Sequence, residues 1–297
     1  MSKVFTVTFN PALDYLMYTN GVKIGETNRS KGETLQFGGK GINVSAVLAE
    51  LGVKTVALGF VGGFTGRVLE KEVKKLKIKT DFVHLKSGNT RINVKIKDTP
   101  ETEINAGGPT ISPDDISKLF KKFKAIKSGD TLVLSGSVPK GVSSHIYKEI
   151  SERLSHKNIN IVVDATGELL LKALPLKPFL IKPNKSELEE LVGAKLNTLD
   201  DIKNAAEQLK QKGAKNILVS LGSEGALLLD ESGNHHYQKA PKITPINTVG
   251  AGDSAVAGFI AGKDKGYDYA LKLAVVSGSA TAAKEGLATK KEILNLI

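Results

Sequence analysis

The feature that most constrains this chain is its rhythm, in which short continuous apolar runs recur and amphipathic helical stretches separate them. The runs are Val4 to Phe9, Thr55 to Val61, Thr131 to Ser135, Asn160 to Asp164, Phe179 to Lys182, Asn216 to Ser220 and Ala226 to Asp230. Each is too short for a helix and lacks the polar alternation of a strand with one wet face. They read as strands covered on both sides. The helices between them are punctuated. Ser112-Pro113-Asp114-Asp115 starts one with a capping residue, an early proline and acids at the positive end, followed by Ile116, Leu119, Phe120 and Phe123 on one face. Thr198 with Asp201 starts another in capping-box fashion, and Gly213 ends it. Gly52 closes an earlier helix after Val44, Val47, Leu48 and Leu51. Strand and helix in alternation predict an α/β domain around a largely parallel sheet.

Two segments break the rhythm. Residues from about 15 to 37 and from about 90 to 104 are polar and rich in Thr and Asn. They alternate like exposed antiparallel strands, as in Arg91-Ile92-Asn93-Val94-Lys95-Ile96-Lys97. They can pair as a small secondary sheet over a site or stand as two separate surface hairpins. No long linker, low-complexity tract or internal repeat divides residues 1–297, so one domain carrying these segments is expected.

Composition narrows the function. With no cysteine, disulfides and thiolate zinc sites are excluded. The apolar run after Lys3 is too short for a signal peptide or membrane span, so a cytoplasmic protein without a membrane partner is expected. The net charge of +11 invites a nucleic-acid reading. The lysines argue against it, because Lys71, Lys74, Lys75 and Lys77, like Lys118, Lys121, Lys122 and Lys124, fall among apolar residues at helical spacing. These are solvated helix faces, and no aromatic stacking array accompanies them. A positive field suits anionic substrates equally well.

The chemistry concentrates in a few glycine-rich turns. Thr248-Val249-Gly250-Ala251-Gly252-Asp253-Ser254 sets two glycines and a carboxylate before an apolar helix. Bare amides at a helix N-terminus bind phosphate, and a carboxylate beside them is misplaced unless it takes a proton. The plainer reading makes Asp253 or Ser254 an N-cap and the glycines a turn. Neither a Walker pattern nor a dinucleotide-binding Gly-x-Gly-x-x-Gly is present, so any nucleotide needs a different loop. Gly38-Gly39-Lys40-Gly41-Ile42-Asn43 is a second glycine turn, before a helix expected to begin near Val44; it is either a tight turn or a binding loop. Asp14 follows the first strand, where ligands gather in open α/β proteins, and it can accept bonds from hydroxyls or simply cap a turn. Asn184 and Glu187, after Lys182-Pro183, can orient water around magnesium or cap the next helix. Ser220-Leu221-Gly222-Ser223-Glu224-Gly225 joins two strands in what is by itself an ordinary hairpin. His235-His236 lies in a polar stretch after Gly233 and is expected to be loop.

In order and spacing, Gly38 to Asn43, Lys182-Pro183-Asn184 with Glu187, Ser220-Leu221-Gly222 with Gly225, and Thr248 to Ser254 resemble the ribokinase-like, PfkB-type sugar kinases along essentially the whole chain. Thr6 to Pro11 with Asp14-Tyr15, Thr90 to Lys95 and Glu101 to Ala106 make it most similar to the family's fructose 1-phosphate kinase branch. The resemblance implies a three-layer α/β/α sandwich with a mostly parallel central sheet and a small β-sheet lid. It also implies phosphoryl transfer from MgATP to the 6-hydroxyl of fructose 1-phosphate. Asp253 is then the base, with Gly250, Ala251 and Gly252 as anion hole. Lys182, Asn184 and the stretch Ser220, Leu221, Gly222, Ser223, Glu224 and Gly225 would lie along the nucleotide, together with Gly252 and Asp253. Asn184 and Glu187 would approach Mg2+ through water. Asp14, Gly38, Gly39, Lys40 and Asn43 would hold the sugar phosphate, with Arg91 and Arg29 on its phosphate. Tagatose 6-phosphate or fructose 6-phosphate is the alternative acceptor within the family. A homodimer through the lid is implied as well.

Overall fold

A computed structural model of the chain describes residues 2–297. From edge to edge the main sheet runs β14 (His235–Gln238), β13 (Ala226–Leu229), β12 (Asn216–Ser220), β11 (Leu180–Ile181), β10 (Asn160–Asp164), β9 (Thr131–Ser135), β1 (Val4–Thr8), β4 (Thr55–Gly62) and β5 (Lys79–Thr80). A further short strand, β6 (Val83–Leu85), also pairs with β4. Every pairing from β12 to β6 is parallel, and only β12–β13–β14 is antiparallel.

Alternate residues of each central strand serve opposite cores. Phe5 and Val7, Leu132 and Leu134, Ile161 and Val163, and Ile217 and Val219 face one apolar cluster; Val4, Val133, Val162 and Leu218 face another. This two-sided burial is why the strands carry unbroken apolar runs. On the first face pack α3 (Pro113–Lys122), α4 (Ile146–Leu154), α5 (Gly167–Ala173), α6 (Lys185–Val192) and α7 (Leu199–Gln211). On the second lie α1 (Lys40–Glu50), α2 (Gly63–Lys75), α8 (Ala251–Gly262), α9 (Tyr267–Ala282) and α10 (Lys290–Leu294). The result is the three-layer α/β/α sandwich that the resemblance implies. Ser112 and Thr198 form the expected capping boxes with Asp115 and Asp201. No helix among the described residues is long and apolar enough to cross a membrane.

A second sheet, β3 (Gly32–Gly38), β2 (Ala12–Tyr18), β7 (Arg91–Lys97) and β8 (Thr102–Ile104), forms the lid. The two polar segments therefore pair with each other and are not separate hairpins. Their junction differs from expectation, because β2 and β7 run parallel. The cause is topological. β2 follows β1 and β7 follows β6, both parental strands end at the same edge, and both segments leave in the same direction.

Two further expectations change. The first turn of α1 begins at Lys40, not near Val44, with Gly39 as N-cap at φ 130°. Apolar periodicity starts only at Ile42 and is silent about a polar first turn. His235-His236 is not loop but part of the edge strand β14. A polar edge strand offers no apolar pattern to read.

Candidate active site

The carboxyl ends of β1, β9, β10, β11 and β12 all open onto one cavity of about 1180 Å3 between the main sheet and the lid. This is the edge where a parallel sheet leaves room for ligands. Three groups of residues build its wall.

The floor is charged, and its carboxylates are buried. Asp164, the last residue of β10, is 2% exposed, with Lys40 Nζ 3.4 Å from one oxygen and Lys182 Nζ 3.4 Å from the other. Burial pushes its carboxyl up, but Lys182 and Lys40 outweigh that and hold it below the usual range. For Lys40 burial acts downward, and Asp164, Asp253 and Glu187 together overcome it and raise the ammonium above its ordinary value. Asp253 lies in the first turn of α8, 5% exposed. It accepts a hydrogen bond of 2.8 Å from Asn43 Nδ2 but has no cation within ion-pair distance among the described residues. Burial, then the charge of Asp164, pushes its carboxyl up to about 6, against the opposing pull of Asn43, Lys40 and Lys182. A carboxyl so placed is suited to taking a proton near neutrality.

The turn preceding α8 explains the glycines. Gly250, not Asp253 or Ser254, is the N-cap, at φ 83°, a left-handed conformation that favours glycine. Ser254 spends its hydroxyl on Gly250 O and Thr281. The amides of Gly252 and Asp253 find no acceptor among the described residues, as expected of a helix first turn. A Cβ at residue 252 would lie 3.1 Å from Lys182 Nζ, so this helix end and the lysine share one space. Free amides, helix dipole and ammonium together make an anion site.

The second wall is the lid. Asp14 on β2 accepts from Asn93 Nδ2 at 2.8 Å and lies 3.3 Å from Lys95 Nζ. Arg91 donates to the Asn10 and Ala106 carbonyls, and burial lowers its pKa despite Asp14. Gly38 meets the same carboxylate, since a Cβ there would stand 2.9 Å from Asp14 Oδ2.

The third wall comprises Ser220, Gly222, Ser223 and Gly225 of the β12–β13 hairpin, opposite Ala274, Val275 and Gly278 of α9. Asn184 and Glu187 sit at the junction of floor and hairpin, locked in a capping box in which Asn184 Oδ1 accepts from Glu187 N and Glu187 Oε2 from Asn184 N. The capping reading is thus correct for the single side-chain oxygen of Asn184 and for one of the two Glu187 oxygens, and both residues still line the cavity.

The structure brings together Asp14, Gly38, Gly39, Lys40, Asn43, Arg91, Lys182, Asn184, Glu187, Ser220, Gly222, Ser223, Gly225, Gly250, Ala251, Gly252 and Asp253. Three of the expected residues stand apart. Arg29 is exposed in the β2–β3 connection, away from the cavity lining. Leu221 packs into the core, and Glu224 is exposed, its carbonyl taking the Tyr237 hydroxyl. Both belong to a tight turn, which necessarily points some side chains away. Sequence reasoning missed Asp164, Asn93 and Lys95, and the α9 residues. A carboxylate ending an apolar strand was the available signal for Asp164. The strand period placing Asn93 and Lys95 beside Arg91 was the signal for the other two.

This geometry has relatives. A 1-phosphofructokinase of Bacillus subtilis is 42% identical over 99% of this chain and 97% of its own length. A D-tagatose-1-phosphate kinase of Bacillus licheniformis is 37% identical over 96% and 94%. The crystal structure of phosphofructokinase-2 from Escherichia coli in complex with fructose-6-phosphate matches with TM-score 0.92 and 29% identity, covering 100% of this chain and 98% of that one. The pfkB carbohydrate kinase family matches residues 7–294, and the chain belongs to that family.

Proposed function

We propose that this chain transfers the γ-phosphoryl group of ATP to the 6-hydroxyl of D-fructose 1-phosphate, giving fructose 1,6-bisphosphate and ADP. The observation that carries the reading is Asp253, a buried carboxyl raised to about 6, held by Asn43 beside the free amides of a helix N-terminus. Asp253 takes the proton of the 6-hydroxyl. The hydroxyl oxygen bonds to the γ-phosphorus as the bond to the β–γ bridging oxygen breaks, and the proton later leaves Asp253 for solvent.

Gly250, Ala251 and Gly252 form the turn of the anion hole, in which the amides of Gly252 and Asp253 are free and that of Ala251 is held by Thr248 O, with Lys182 and Lys40 supplying positive charge at the floor. Such fixed charge is where most acceleration of phosphoryl transfer originates. The hairpin at Ser220 to Gly225 holds the nucleotide. Asp14, Gly38, Gly39 and Asn43 hold the sugar, and Arg91 takes its phosphate.

Mg2+ fits the remaining donors. Glu187 keeps one carboxylate oxygen outside the capping box, while Asp164 is engaged by two lysines. So few protein oxygens suit an ion that retains water and takes phosphate oxygens. When bound, it neutralises the phosphate charge. The lid excludes water as a competing acceptor. Its outer face exposes Leu35, Ile92 and Ile104 and is the expected contact of a homodimer. The single domain spans residues 1–297 and acts in the cytoplasm.

A D-tagatose-1-phosphate kinase at 37% identity favours tagatose 1-phosphate as the second acceptor. Comparing kcat/KM on fructose 1-phosphate, tagatose 1-phosphate, fructose 6-phosphate and tagatose 6-phosphate tests both. The proposal requires fructose 1-phosphate to lead; a lead for either 6-phosphate removes it.

A further inference from the structure

The lid places a nearly buried lysine against the cavity, and the phosphoryl-transfer chemistry gives it no role. Lys95 is 8% exposed. Its ammonium lies 3.3 Å from Asp14 Oδ2 and 3.8 Å from Glu103 Oε1. Strand geometry fixes this. Arg91, Asn93 and Lys95 alternate onto the cavity face of β7, Asp14 stands opposite Asn93 on β2, and Glu103 stands opposite Lys95 on β8.

Asn93 completes the arrangement. Its amide donates to Asp14 Oδ1 at 2.8 Å, while its own Oδ1 accepts from Ala106 N at 3.2 Å, so the amide cannot turn. Both oxygens of Asp14 are therefore held from the lid side, one by an amide and one by an ammonium. Each oxygen retains a lone pair for a ligand hydroxyl.

The physical problem that this solves is charge. A carboxylate binds sugar hydroxyls well, but in a low-dielectric cavity it repels a substrate that also carries phosphate. An ammonium beside it cancels that repulsion without occupying the hydroxyl-binding direction. Lys95 is itself divided between two carboxylates, so its free charge toward the cavity is small and it is a poor direct phosphate ligand. Arg91, which approaches no carboxylate within ion-pair distance among the described residues, is the better one.

We propose that Lys95 and Asn93 are positioning residues that hold Asp14 and cancel its charge, making the lid selective for a phosphorylated polyol over its unphosphorylated counterpart. This rests on the sugar-phosphate reading of the same cavity.

The test is a double-mutant cycle read in KM for fructose 1-phosphate and, separately, in kcat and in KM for ATP. Lys95→Gln is expected to raise the sugar-phosphate KM by about tenfold or more, with kcat and the KM for ATP changed less than about threefold. On unphosphorylated fructose the KM changes far less. Lys95→Arg restores most of the loss because it keeps the charge. In an Asp14→Asn background, Lys95→Gln costs little further, since the carboxylate it served is gone. An undiminished cost in that background makes Lys95 a direct phosphate ligand and overturns the proposal, as does an equal loss on fructose and its phosphate. Should Lys95→Gln fail to fold, Glu103→Gln carries the test, because Glu103 is exposed. It frees Lys95 for Asp14 and is expected to lower the sugar-phosphate KM by up to about twofold, whereas a rise counts against the proposal. Wild-type enzyme that fails to turn over any sugar phosphate would sink the functional reading itself. An active wild type with additive losses would sink only the role of Lys95 and Asn93.

Discussion

The floor and the lid of the cavity are built from the same residue types and arrive at opposite electrostatics. On the floor two lysines converge on one carboxylate, Asp164, and leave a second, Asp253, with an amide as its only hydrogen-bonding side chain among the described residues. In the lid the single carboxylate facing the cavity from β2, Asp14, has a lysine, shared with Glu103, and an amide. A buried carboxyl without a cation is driven toward the proton, while a carboxylate paired with an ammonium offers its remaining lone pairs to donors. The difference separates a group that accepts a proton from a group that accepts hydrogen bonds.

The most severe way to break this contrast is Asp253→Asn. Loss of the base is expected to lower kcat by about 10³-fold while ATP and sugar phosphate still bind. The same change is expected to stabilise the fold. The folded carboxyl sits at about 6 against an unfolded value near 3.8, so its contribution is fully present below the unfolded value and is lost as pH rises through 6. At pH 8 the asparagine variant should melt higher than wild type, its unfolding free energy larger by about 1–3 kcal/mol, and the gap should close below about pH 4. A melting curve as low as that of wild type at pH 8 would mean that Asp253 carries no charge penalty.

Asp164→Asn attacks the floor from the other side. Lys40 and Lys182 then turn toward Asp253, the buried carboxyl left beside them, so the base moves to lower pKa and the lysines leave the anion site. The acid limb of the pH–kcat profile, expected near 6 in wild type, should shift downward. Activity should fall on the order of 10²-fold through misplacement of charge. An unmoved acid limb would show that Asp164 does not set the base.

How far this contrast could be read from sequence depends on whether its parts are local. Gly250 to Asp253 and Gly38 to Asn43 are turns whose chemistry lies within seven residues, and strand-then-helix order places them at one sheet edge. Alternating apolar runs gave the central strands nearly residue for residue, because each faces two cores at once. The electrostatics were not local. Asp164 meets Lys40 across 124 positions, and Asn93 meets Asp14 across 79. No spacing rule brings such pairs together; only the topology does. Arg29 lies away from this chain's cavity lining for the complementary reason, since a loop residue carries no register to say where it reaches. The parallel β2–β7 pairing likewise follows from which edge the chain leaves, not from any alternation within either strand.

Beneath the floor, Gly41→Ala probes how the lid side and the floor are joined. A Cβ there would lie 2.6 Å from Thr8 Oγ1 and 3.0 Å from the Val7 carbonyl. The start of α1 must shift, carrying Lys40 and Asn43 with it. A loss of about 1–3 kcal/mol in denaturant unfolding is expected, with weakened sugar-phosphate binding. Retention of full stability would mean that β1 and α1 have room to separate.

The smallest expected effect lies outside both regions and calibrates them. His236 on β14 also stands between two carboxylates, with Nε2 3.0 Å from Asp230 and Nδ1 2.7 Å from Asp268 at the start of α9. Burial lowers its pKa, but the two acids outweigh burial and raise it overall. Its stabilising contribution is therefore complete below the unfolded value and disappears as pH rises through the raised folded one. Solvent screens the exposed Asp268 side of this cluster, so His236→Gln should lower the melting temperature by only a degree or two at pH 6 and by less at pH 9, with kcat unchanged. An equal loss at both pH values would make the imidazole a packing element. A charge-dependent loss would show that three carboxylate clusters in one fold differ in burial and in the number of cations they meet, and that only the buried one short of a cation is left able to do proton chemistry.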